Sequence, residues 1–175
     1  MKKYILGFLL FAVATTTVSA QTEQELKDLA LAQATITSSA TVNGDMSTVL
    51  DFTFPGVLEL MGGKEAALTT VNEAMAGMKQ GGMSFQSSEV TGLVGFAQEE
   101  DEYRCIIENK VVIDSPEQQI KSTSYMLGIY SQEAKQWYFM EAAQLKNEAL
   151  REMVIPGFKT SLVIPDDVRE FVPKN

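Results

Sequence analysis

Apolar and polar positions alternate with two different periods along this chain, and the change falls at Gly81-Gly82. Upstream the spacing is helical. Between Thr22 and about Thr41, Leu26, Leu29, Ala30, Ile36 and Ala40 share one helical face. Asn43-Gly44 breaks that run, and Asp45 is placed to cap a second helix carrying Met46, Val49, Leu50 and Phe54. Pro55 cannot donate a backbone hydrogen bond, so this helix is predicted to end or bend there, with a short turn over 57–61. A third helix is predicted over 64–80, with Leu68, Val71, Met75 and Met78 along its apolar stripe.

Downstream the period is two. Strands are predicted over 83–98, 102–114, 118–131 and 136–143, separated by breaks short enough to join antiparallel neighbours. Gly92 and Gly95 interrupt the first strand, which predicts a bulge or a sharp bend. A last short helix is predicted over 146–153, followed by an apolar tail, Leu162-Val163-Ile164. Helices followed by a long, bent, four-stranded meander predict an α+β fold.

The first twenty residues are read apart from this pattern. Lys2-Lys3 followed by an apolar middle and small residues at Val18 and Ala20 match a secretory signal peptide cut after Ala20. The apolar run is short for a hydrocarbon layer of about 30 Å, so export is expected rather than membrane insertion. The organisation expected is therefore a signal peptide over 1–20, one domain over 21–155, and a tail over 156–175 packed on it.

The whole chain of 175 residues has a formal net charge of −9. Loss of Lys2 and Lys3 makes it two units more negative, which disfavours nucleic acid and anionic lipid as partners. Histidine is absent, which removes the commonest general base and the commonest metal ligand. Cys105 is the single cysteine, so no intrachain disulfide and no cysteine-based zinc site can form. It alternates with Tyr103 and Ile107, the setting of a buried and inert thiol. Met75, Met78 and Met83 suggest thioether chemistry for Cu(I), but core packing explains the first two better. Gly62-Gly63-Lys64 reads as a helix stop and start rather than a phosphate loop. No cofactor and no metal are expected.

The element order resembles the cone-shaped superfamily of nuclear transport factor 2, ketosteroid isomerase, scytalone dehydratase and the SnoaL-like cyclases. Asp51-Phe52-Thr53-Phe54-Pro55, Met61-Gly62-Gly63-Lys64-Glu65 and Trp137-Tyr138-Phe139-Met140-Glu141 are similar to small exported bacterial proteins of that type. The resemblance covers about residues 22–143 and implies a pocket between helices and sheet. It transfers no catalytic residue: the histidine of scytalone dehydratase and the cyclases has no counterpart here. The aspartates of ketosteroid isomerase are not placed on this chain either.

Asp51, Tyr103, Tyr125, Trp137 and Glu141 are the five candidates for the pocket. Trp137, Phe139 and Glu141 share one face of the last strand, which brings Glu141 towards the core side as a desolvated carboxylate. The alternative is a solvated strand-end carboxylate. Asp51 either looks inward from the second helix or is solvated, and Tyr103 and Tyr125 are possible donors to a ligand.

The expected function is an exported, non-catalytic binding or interaction domain, acting through an apolar pocket between helices and sheet that takes a small apolar ligand, or through a protein interface. Its alternative is a small lyase, isomerase or hydrolase working through carboxylate and tyrosine. Both faces of the central strands carry apolar residues, and the helices can cover only one. A homodimer through the sheet is the expected cover for the other, and the tail (Phe158, Leu162, Val163, Ile164) is its rival.

Overall fold

The structure, a computed structural model, describes residues 21–174. The signal peptide expected over 1–20 and its cut after Ala20 lie outside them. The chain folds as α1 (Glu23–Asn43), α2 (Met46–Asp51), α3 (Pro55–Leu60), α4 (Lys64–Gln80), β1 (Ser84–Glu99), β2 (Glu102–Asp114), β3 (Gln118–Ser131) and β4 (Gln136–Glu141). A 3-10 turn over Ala142–Lys146, α5 (Glu148–Val154) and β5 (Val168–Pro173) complete it. This is the α+β arrangement expected, with an antiparallel sheet that does not close into a barrel.

Local chemistry sets the helix ends. Thr22 and Glu25 form a reciprocal capping box at the start of α1, and Gly44 ends it at φ +74°. Asp45 caps α2 by accepting from the Thr48 amide at 3.1 Å. α2 stops at Asp51, short of Pro55, because the residues between bond to the sheet instead. The Phe139 amide donates to the Phe52 carbonyl at 2.7 Å, and the Phe54 amide donates to the Phe139 carbonyl at 2.8 Å. Pro55 then opens α3 at a position where its missing N–H costs nothing, so residues 57–60, expected as a turn, are helical.

The sheet is the meander β1-β2-β3-β4 plus a fifth strand. β3 pairs with β4 over Met126–Ser131 and with β5 over Gln118–Thr123. The two short strands therefore follow one another along a single edge of β3. The β1–β2 register slips between Val90 and Gly92 and between Leu93 and Gly95, at the two glycines that break its alternation. It slips a third time between Phe85 and Ser87.

Each face has its own core. On the inner face Cys105, Ile107, Met126, Trp137 and Phe139 pack against Leu26, Ala30 and Ala34 of α1. The small side chains let α1 approach closely enough for Trp137 Nε1 to donate to the Leu26 carbonyl at 3.0 Å. On the outer face Ile106, Leu127, Ile129 and Met140 pack against Leu145, Val154 and Phe158. Leu162 and Ile164 pack against that cluster in turn. The chain's own tail thus covers the face on which the dimer argument rested. Of the four tail residues weighed as cover, Val163 alone points away, 80% exposed.

Arg104, only 3% exposed, locks this cover in place. It donates to the Lys159 carbonyl at 2.6 Å, pairs with Glu99, Glu100 and Glu102, and stacks on the Phe158 ring.

Candidate functional site

Beyond Ala34, the sheet-facing side chains of α1 become Thr37, Ser38 and Thr41. Opposite them the inner face of the sheet turns from large apolar groups to Ser88, Asn109 and Ser124. Small polar groups on both sides cannot fill the space that leucine and tryptophan fill at the other end. The result is a cavity of about 320 Å³ between α1, α2, the start of α3 and the sheet. Val49, Phe52, Phe85, Met126 and Phe139 supply its apolar wall.

Asn109 is the polar centre of this cavity and is only 8% exposed. Its Nδ2 donates to Ser88 Oγ at 3.0 Å, and its Oδ1 accepts from Ser38 Oγ at 3.3 Å. One amide thereby ties helix to sheet across the cavity, as a buried amide requires.

Glu141 is the titratable side chain in that wall. It ends β4 on the face of Trp137 and Phe139 and stands opposite Met126 of β3. By surface area it is exposed, but the wall is concave, so protein crowds the carboxylate while the mouth stays open to water. Burial pushes its pKa up, nearby Asp167 pushes the same way, and Arg169 opposes them.

Glu141 also borders a second cavity of about 500 Å³, together with Val111, Ser124 and Gln144. Ile113, Ile120 and Phe171 supply its apolar part, and Ser122, Asp167 and Arg169 its polar part. The three residues Asp167, Arg169 and Phe171 come from β5 and the residue before it.

The other candidates stand elsewhere. Asp51 pairs with Lys64 on the surface. Tyr103 lies at the far end of the inner face with its ring 5.9 Å from Phe96, and Trp137 is wholly buried in the core. Tyr125 belongs to the outer face and donates to Glu108 at 3.3 Å. Burial and Glu108 both raise its pKa. Cys105 is fully buried, which pushes its thiol up to about 12. Met75, Met78 and Met83 border a separate groove with Val42 and Phe85. Among the described residues no three cysteine, aspartate or glutamate side chains cluster as metal ligands.

Sequence reasoning missed Asn109, Ser38, Asp167 and Arg169. Asn109 carried a signal: it is the one polar side chain between Cys105-Ile107 and Val111-Ile113 on an otherwise apolar strand face.

Protein-family models, curated proteins and solved structures were compared with this chain, and none matches. The functional reading therefore rests on the cavities themselves. No helix among the described residues is long and apolar enough to cross a membrane.

Proposed function

We propose that this chain is an exported, non-catalytic small-molecule-binding domain of the nuclear transport factor 2-like type, with its ligand held between α1, α2 and the sheet. One observation carries the reading: a cavity with apolar walls, a tethered amide at its centre and one carboxylate at its mouth. That composition suits a small, largely apolar molecule oriented by a few polar contacts. The volume is at the lower end of small-molecule sites, which run from about 300 to 1,000 Å³.

A second reading is favoured by Glu141 alone. A carboxyl group whose pKa is raised inside a cavity has the property a general acid or base needs. The cavity offers it no histidine or tyrosine, and its hydroxyl groups have no base beside them, so binding is the stronger reading.

Native mass spectrometry of protein purified from its own host tests the proposal. A retained small molecule, lost when Phe139→Glu places a charge in the cavity, supports it. An empty protein that also gains no thermal stability from any apolar probe would overturn it. The same spectrum tests export, which requires a chain beginning at Gln21.

A further inference from the structure

We propose that the ligand is an amphipathic cation whose positive group sits beside Glu141, with its apolar body in the inner cavity. The inference rests on the binding reading above and adds the charge and the orientation of what is bound.

Two observations combine. First, the inner cavity and the second, outer one share a wall: Val111, Ser124, Glu141 and Gln144 border both, so Glu141 stands between them. A molecule with its apolar end against Phe52, Met126 and Phe139 can place its head beside this carboxylate, which lines the same cavity. Second, the charge around the shared wall is uncompensated. Glu141 accepts no hydrogen bond and joins no ion pair among the described residues. The rim of the outer cavity adds Asp167, whose Oδ1 is shut away from solvent without a hydrogen-bond donor. Arg169 is the single cation on the same wall, and it pairs with neither carboxylate within 4.0 Å. Two acidic groups against one basic group leave the shared wall negative, in surroundings of low polarisability where a charge is felt strongly. Contact with Glu141 supplies the bond, and the field of Asp167 adds to it without contact. An anionic head would meet Arg169 and both carboxylates together. A neutral head would leave Glu141 as it stands.

Three probes of equal chain length separate these cases: octylammonium, octanol and octanoate, titrated calorimetrically at pH 7 into the chain from Gln21. The expected order is octylammonium tightest and octanoate weakest, with octylammonium about tenfold tighter than octanol, the size of one partly screened ion pair. Glu141→Gln should erase that preference, bringing octylammonium to the affinity of octanol for the same variant, while an unchanged circular-dichroism spectrum shows that the variant is folded. Asp167→Asn should reduce the preference without removing it. Equal binding of all three probes, or octanoate tightest, overturns the cationic assignment and leaves the binding reading standing. Binding of none of them overturns both.

Discussion

Replacing Glu99 by glutamine should loosen the tail that supplies Asp167, Arg169 and Phe171 to the second cavity, and the size of the effect follows from four hydrogen bonds. Glu99 ends β1, and its carboxylate accepts from the Ser161 amide at 2.7 Å, Ser161 Oγ at 2.6 Å, Thr160 Oγ1 at 2.7 Å and Arg104 Nη1 at 3.2 Å. The Ser161 hydroxyl and amide, then Thr160, hold its pKa down to about 2 from 4.5, with a smaller contribution from Arg104.

A depression of that size corresponds to about 3 kcal/mol at full strength. The side chain is 17% exposed and stands at the end of a hairpin with little protein beyond it, so water screens the interaction. About 1–2 kcal/mol is the expected contribution once that screening is allowed for. The sign follows from the direction of the shift. A carboxyl group with a lower pKa in the folded state stabilises the fold above its unfolded value near 4.5, and that stabilisation fades as pH falls towards 2. Glu99→Gln should therefore cost about 1–2 kcal/mol at pH 7, because an amide cannot accept from all four donors. The gap to the unaltered protein should shrink between pH 4.5 and 2.

Urea unfolding followed by fluorescence of the single, fully buried Trp137 reads both quantities. Glu25, Asp45 and Asp166 also have lowered pKa values, but they act equally in both proteins and cancel in the difference. Parallel stability curves across this pH range would refute the clamp.

Four further outcomes follow from the same contacts. Glu141→Gln should leave stability at pH 7 unchanged or raise it, since burial raises the pKa of this carboxyl and its charge opposes folding above that value; a lowered urea midpoint would contradict this. Gly128→Ala should cost about 1–3 kcal/mol, because the added Cβ would lie 2.7 Å from Cys105 Sγ and 3.0 Å from the Phe139 ring; an unchanged melting temperature would show that this layer gives way. Cys105 should resist a thiol-specific reagent until urea unfolds the chain, and labelling of the native protein would place the thiol outside the core. With the outer face filled by its own tail, the chain from Gln21 should scatter light as a single copy at micromolar concentration, and a stable dimer there would require another face.

Where a signal was local, the sequence carried it. Gly44, Asp45 and the Thr22–Glu25 pair mark helix ends through bonds made within a few residues. The hairpin turns mark the strands in the same way. The faces of Tyr103 and Tyr125 needed one step more. The short turn after Asp114 sets Ile113 opposite Ile120, and that register places Tyr125 opposite Glu108 on the outer face. Tyr103 has the parity of Cys105 and Ile107, so the two tyrosines could not line one pocket. The information was present, but only through the pairing.

β5 was hidden for a different reason. Val168-Arg169-Glu170-Phe171-Val172-Pro173 is short and half polar, and its partner, the start of β3, lies some fifty residues earlier in the chain. Nothing near it in sequence announces a strand, because edge strands need little apolar content when one side meets water. Its placement depends on what the preceding residues do. α5 and residues 155–164 must first cross the outer face, held by Arg104 and Glu99, before the chain can turn back onto the edge of β3 that β4 leaves free. One long path therefore covers the outer face and delivers Asp167, Arg169 and Phe171 to the inner one. The two questions left open by the pattern of apolar residues, what covers the second face and what completes the pocket, have the same answer. A perturbation of the clamp at Glu99 should accordingly be felt in the outer cavity as well as in stability, although no residue of the clamp borders either cavity.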